Sequence, residues 1–344
     1  MTDEVLREIP QFRQQGGRTR IAVTYQSSSW ERLLKAVRLG ANDYLSPVPT
    51  DDEFRELLAR GSDHKTPGTG PGRLITVFSN KGGVGTTTVA INIASALAAQ
   101  ITGNVAVVDL VLQHGDVSVF LDVPTVYTVV HLINELDRAD ASYLQNVLPK
   151  HPSGVYVAPA PFAPDQVELV TSVQIHRLLQ TLRTSFDAVV VDAGHGFNEP
   201  TLAALDASSQ IYLVTLPTLP SVRNTKRSLE LFERLAYDSA KVSVIVNRHD
   251  AEESLRRDAI EDALGCRIHW SIPNDYSTVS QAINKGTAVR MIQPVGTLAA
   301  NIDQLVATHL LGRASVAPAD RPRPSRWRLL NPGALIRRRH HGAA

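Results

Sequence analysis

Seven short runs rich in β-branched residues recur along the chain, each followed by a segment with helical periodicity. They occupy residues 73–79 (RLITVFS), 104–110 (NVAVVDL), 154–160 (GVYVAPA), 186–193 (FDAVVVDA), 210–216 (QIYLVTL), 241–247 (KVSVIVN) and 267–272 (RIHWSI). Several are almost continuously apolar, the pattern of parallel strands covered on both faces. Between them, Ile175, Leu178, Leu179 and Leu182 repeat at helical spacing, as do Leu229, Leu231, Phe232, Leu235 and Ala236. Alternation of this kind predicts an α/β fold with a doubly wound, mostly parallel sheet. Ligands in such sheets bind at the carboxyl ends of the strands.

The first of these strands leads directly into SNKGGVGTTT (79–88) and then into an Ala/Leu/Ile-rich helical segment. Strand, glycine loop and helix in that order form a phosphate-binding loop of the P-loop NTPase kind. Glycines let the backbone approach an anion, and successive N–H groups converge on it at the helix N-terminus. Thr87 stands in the slot whose hydroxyl ligates Mg²⁺ in such loops. The usual pattern has a lysine where this chain has Thr86. Its loss removes a charge-assisted contact worth roughly 1.5–3 kcal/mol, about 10- to 100-fold in affinity. Nucleotide binding is therefore expected to be weakened, not abolished.

The sequence KGGVG followed by hydroxyl residues resembles the deviant Walker A motif of the ParA/MinD family of dimerising ATPases, and the resemblance covers residues 73–312. It implies ATP and Mg²⁺ as ligands, cradled by Lys81, Gly82, Gly83, Val84, Gly85, Thr86, Thr87 and Thr88. Lys81 matches the signature lysine that touches the partner's phosphates in a nucleotide-linked homodimer. VAVVDLVLQHGD is similar to the second strand and switch I, with Asp109 leading; FDAVVVDAG is similar to the Walker B strand, with Asp192 near the Mg²⁺. Lys81, Asp109 and Asp192 would thus be the catalytic set, and Thr87 and Asp192 the metal set. VIVNR resembles the base-reading strand end, giving Asn247 and Arg248. SIPND (271–275) resembles the later base and ribose loop, giving Pro273 and Asp275, with AINKGTAV (282–289) as the turn that follows.

Two positions depart from that pattern. The second switch I aspartate is Val111, and the switch II proline is Gly194. A lost transition-state group typically costs on the order of 10²–10³ in rate, so turnover is expected to be slow or absent. Within the family, DLVLQHGDVSVFLD and the N-terminal segment resemble the CpaE/TadZ type, which help place and assemble Tad (Flp-type) pili. That implies pilus-assembly components as partners and a cytoplasmic position, at the inner-membrane face or a cell pole. Two other readings stay open. One is a scaffold whose nucleotide site is vestigial; the other is a partitioning or septum-site ATPase.

Residues 1–60 carry two further strand candidates, TRIAVTYQ and NDYLSP, and a helical face of Trp30, Leu33, Leu34 and Val37. Thr50 and Glu53 form a capping-box pattern before Phe54, Leu57 and Leu58. The order resembles the second half of a response-regulator receiver, without the phospho-accepting strand and with Ser46 in place of the lysine. A truncated pseudo-receiver and a generic αβ appendage both fit. Residues 61–72 (GSDHKTPGTGPG) have linker composition.

The tail, 313–344, is read as basic and disordered. Its eight arginines and one aspartate give +7, which leaves −6 for the rest of a chain of net charge +1. The acidic body argues against a nucleic-acid partner. Trp327, Leu329, Leu330, Leu335 and Ile336 among the arginines suggest a peripheral contact with anionic lipid or an acidic partner, against a solvated tail. The start, MTDEVLREIP, lacks a signal-peptide pattern. The single cysteine, Cys266, excludes a thiolate cluster and is expected in the core. His195 and His249 read as surface or switch-region histidines, and Asp116 and Asp122 as solvated turn residues.

Overall fold

In the computed structural model, which describes residues 22–24, 43–45, 48–51, 71–136, 139–162, 170–250 and 255–313, two short strands come first. Strands β1 (Ala22–Thr24) and β2 (Asp43–Leu45) pair in parallel, Ala22 opposite Asp43. Both match the strand candidates of the N-terminal segment. The helix faces expected there, the Glu53 half of the capping box and the tail from 314 onward lie outside the described residues.

All seven apolar runs become strands of one sheet. They are β3 (Arg73–Ser79), β4 (Val105–Asp109), β5 (Val155–Ala158), β6 (Ala188–His195), β7 (Gln210–Thr215), β8 (Val242–His249) and β9 (Trp270–Pro273). Their order is β5-β4-β6-β3-β7-β8-β9, and every pairing is parallel. The longer helices are α1 (Thr86–Gln100), α2 (Ser172–Ser185), α3 (Glu199–Ala207), α4 (Leu219–Arg234), α5 (Arg257–Leu264), α6 (Tyr276–Asn284) and α7 (Thr297–Leu305). Among the described residues, no helix is long and apolar enough to cross a membrane.

The strand period of two sorts side chains onto two faces. Ile75, Val77, Val105, Val107, Val190, Tyr212 and Val214 pack with α1, α6 and α7. Leu74, Ala106, Val108, Val189 and Val191 pack with α2 and α3, while Ile211 and Leu213 pack with α4 and α5. Helix α1 is therefore central. Its residues from Val89 to Leu97 are all buried, which explains a segment apolar on every side.

Differences from the expected elements fall at their ends. Strands β6 and β8 run two residues further, to His195 and His249, while β5 is only Val155–Ala158 and β9 starts at Trp270. Helix α4 stops at Arg234, so Leu235 and Ala236 leave the predicted stripe. Ala236 takes a left-handed φ of 58°, its N–H bonds to the Glu233 carbonyl, and the Tyr237 N–H reaches back to the Phe232 carbonyl. That is a Schellman ending, closed by the Phe232–Tyr237 ring contact at 5.3 Å. Gly72, at the end of the expected linker, is tied to the domain: its N–H donates to the Arg183 carbonyl and its own carbonyl accepts from Arg183 Nε.

The edge of the sheet carries a pH-sensitive contact. The His269 N–H donates to the Val244 carbonyl, and His269 Nδ1 accepts from the Val244 N–H, so the neutral ring is required. Burial first, then His309 and Arg257, push His269 down to about 4. Burial also lowers His151 and His309. Between pH 6.5 and 4 the unfolded chain binds more protons than the folded one, so stability is complete above that window and falls within it. For His269 the loss is at most about 3 kcal/mol. Thermal melting against pH should show it, and His269→Asn, which keeps an acceptor, should flatten the profile.

Candidate functional site

The loop after β3 is shaped by its glycines. Ser79 Oγ accepts from the Lys81 N–H, Gly83 has φ 76° and Gly85, the residue before α1, has φ 92°. A side chain at Gly85 would also come within 2.5 Å of Asn247 Nδ2. No side chain caps α1. The N–H groups of its first turn, on Thr86, Thr87 and Thr88, have no intrahelical partner and face an anion site. Thr86 itself is nearly buried.

Behind the loop lie two carboxylates. Asp109 ends β4 and Asp192 lies three residues before the end of β6; the two are register partners and fully buried. Asp109 accepts from the Val111 N–H (3.0 Å) and the Val117 N–H (3.1 Å). Asp192 Oδ1 accepts from the Gly194 N–H at 3.1 Å, but its Oδ2 is buried with no hydrogen-bond partner. Burial, then the neighbouring Asp192, holds Asp109 well above the usual carboxylate range. Burial raises Asp192 to about 6, although the Thr87 hydroxyl and the Gly194 N–H favour its charged form. Two buried acids with one unclaimed oxygen lack positive charge.

That donor set fits Mg²⁺. Among the described residues, no cluster of three or more His, Cys, Asp or Glu could hold a metal unaided. Mg²⁺ characteristically uses one or two carboxylates, a hydroxyl and the substrate's phosphates. Asp192 and Thr87 supply the protein's share.

A cleft of about 460 Å³ opens over the loop. It gathers Gly82, Gly83, Gly85, Thr86, Thr87, Thr88, Asn247, Arg248, Pro273 and Asp275, ten of the residues expected to hold nucleotide. The others sit around it. Val84 is buried, and Lys81 Nζ donates to Ser221 Oγ at 3.4 Å on the first turn of α4. Asn247 has both of its groups engaged by the protein: Nδ2 donates to the Val84 carbonyl and Oδ1 accepts from the Arg248 N–H. It braces the loop through the same amide that would read a base. Asp275 caps α6 by accepting from the Thr278 N–H.

Sequence reasoning missed the apolar wall of the cleft, made by Phe120, Val279, Ile283, Leu298 and Ile302. Its residues come from three helical segments, one of them far from the other two in sequence, and nothing in their local pattern marks them. Asp116 is exposed, as expected of a turn residue, yet it lines the cleft and its charge helps to raise both buried acids. Cys266 is only partly buried, and burial pushes its thiol up to about 11, in keeping with a packing role. The two departures, Val111 and Gly194, turn out to be neighbours. A Cβ at Gly194 would lie 2.5 Å from Val111 Cγ2.

Residues 72–241 match the family model described as AAA domain. The septum site-determining protein MinD of Thermotoga maritima is 27% identical over 227 residues, 64% of this chain and 82% of that protein. That of Synechocystis is 28% identical over 226 residues, again 64% and 82%. Among solved structures, a ParA family ATPase from Chlorobium tepidum superposes with a TM-score of 0.64 at 24% identity, over 67% of this chain and 97% of that one. MinD from Pyrococcus horikoshii, complexed with Mg-ADP, gives 0.60 at 22% identity, over 70% and 97%.

Proposed function

We propose, the main domain being of the ParA/MinD-type P-loop ATPase family, that this chain is an ATP-binding switch. It dimerises with ATP and Mg²⁺, turns ATP over slowly or not at all, and positions a larger assembly. The observation that carries this reading is the unclaimed Oδ2 of buried Asp192, set beside Thr87 behind an uncapped helix N-terminus. Bound Mg²⁺ would neutralise phosphate charge there. The chain's own part is to hold the triphosphate on backbone N–H groups, orient it with Thr87 and Asp192, and shield it in the cleft.

Slow turnover follows from Thr86 and Val111. One removes a charge from the phosphates, and the other removes a carboxylate that would orient water. Calorimetric titration with ATP and Mg²⁺ should give micromolar to high-micromolar affinity. A phosphate-release assay should read far below the roughly 1–10³ s⁻¹ typical of enzymes. No ATP binding at all would leave the vestigial scaffold in its place.

The assembly positioned is, on this reading, a Tad/Flp-type pilus machine, on the resemblance of residues 109–122 and of the N-terminal strands. The site of action would be the cytoplasmic face of the inner membrane or a cell pole. Septum placement is the second reading, favoured by the MinD relatives. A deletion strain separates the two, with loss of surface pili supporting the first and misplaced septa the second.

Lys81 bears on dimerisation. With Thr86 uncharged, it is the loop's only lysine. In the single chain it rests on Ser221, and in a dimer it would exchange that neutral contact for a phosphate. Because a ligand that binds only the dimer stabilises it by mass action, Lys81→Ala should lower ATP affinity and ATP-induced dimerisation together. Light scattering with and without ATP checks this. A Lys81→Ala variant that dimerises as wild type does would end the trans-lysine mechanism.

A further inference from the structure

The extra length of β6 puts a histidine over the phosphate loop. Along β3, Val77 pairs with Asp192 and Ser79 with His195, so two steps on one strand oppose three on the other. The β-bulge carries an additional residue and re-aims the strand end, a device common beside active sites. Gly194 (φ 57°) and Gly196 (φ 88°) flank His195, and the Gly196 N–H is fixed on the Ser79 carbonyl. The backbone around this one side chain is therefore specified closely.

The ring itself is exposed and lines the cleft. Its Nε2 lies 3.5 Å from where a Cβ on Gly82 would stand, so it lies against the loop's backbone. Among the described residues it makes no hydrogen bond. Gly82 belongs to the limb of the loop away from α1. The loop's backbone N–H groups cradle the α- and β-phosphates, so a donor that overhangs the loop from β6 is placed for the phosphate beyond them.

We propose that His195 is a γ-phosphate ligand: an imidazole N–H donor that replaces part of what the loop lost at Thr86 and lets the site distinguish a nucleoside triphosphate from a diphosphate. The proposal rests on the nucleotide-binding reading and sharpens it. No other side-chain donor on β6 reaches the cleft, since Asp192 is buried and accepts, and Gly194 has no side chain.

The test is titration of the full chain with fluorescent ATP and ADP analogues in Mg²⁺, for wild type, His195→Ala and His195→Gln. Loss of a donor to a charged oxygen typically costs about tenfold. His195→Ala should weaken the ATP analogue by about tenfold and the ADP analogue by less than about twofold. His195→Gln, which keeps an N–H donor, should fall between. Retained ADP binding is the fold control, because the side chain is exposed and its removal opens no cavity. Equal losses for both nucleotides, or no loss for ATP, would overturn the γ-phosphate role while leaving nucleotide binding in place. A wild type that binds neither analogue would overturn the nucleotide reading and this proposal with it.

Discussion

Asp192→Asn is expected to make the nucleotide-free protein more stable and to remove the advantage that Mg²⁺ gives ATP. Burial holds the Asp192 carboxyl near 6, against about 3.8 when free, so folding disfavours its charged form. Below pH 3.8 both states are protonated and no penalty exists. As pH rises through 6 the penalty becomes complete, at most about 3 kcal/mol. The amide avoids it but places an N–H₂ group where Oδ2 has no partner, which returns about 1–3 kcal/mol. The net gain in melting temperature should therefore be modest at pH 7–8 and absent below pH 4. In the same variant, affinity for ATP with Mg²⁺ should fall by about 10- to 100-fold, while affinity in EDTA changes little. Scanning calorimetry and nucleotide titration in both media give the two halves. A variant that is destabilised without metal, or that keeps the Mg²⁺ advantage, would show that Asp192 is a structural acid.

The strands were legible because their residues are buried on both faces, which leaves a continuous apolar signal; Val105–Asp109 and Ala188–Val191 are buried throughout. The glycine loop was legible because Gly83 and Gly85 take left-handed backbone angles open mainly to glycine. Element ends were not. Whether β6 stops at Ala193 or at His195 depends on a bulge against Ser79, a pairing between residues more than a hundred positions apart. The helix stripe at Leu229 gave no sign that the chain would turn at Ala236, because an alanine in the left-handed region is set by the Phe232–Tyr237 packing rather than by its own preference. The apolar wall of the cleft was hidden for a related reason. Phe120, Ile283 and Ile302 look like ordinary core positions on their own helices, and become a site only where the helices meet.

Motif reading also treated Val111 and Gly194 as two separate losses, whereas they share one small volume. A Cβ at Gly194 would meet the Val111 methyl, so Gly194 gives room for the valine and the pair forms one apolar contact between the segment after β4 and the end of β6. On the slow-turnover reading proposed above, restoring chemistry needs both the missing charge and the missing carboxylate. Thr86→Lys alone should tighten ATP about 10- to 100-fold with turnover little changed, its stem running into the cleft that Thr86 already lines. Val111→Asp alone places a third acid beside Asp109 and Asp192, so it should lower the melting temperature of the nucleotide-free protein and recover much of it with Mg²⁺ and ATP. The double variant should raise turnover by about 10² or more over wild type, since the restored carboxylate orients water in the transition state while the restored lysine holds the phosphate that is attacked. Single-turnover phosphate release on all four proteins measures this directly. If the double variant binds ATP tightly, melts cooperatively and still releases no phosphate, the defect lies in the switch backbone fixed by Gly194 and not in the two side chains.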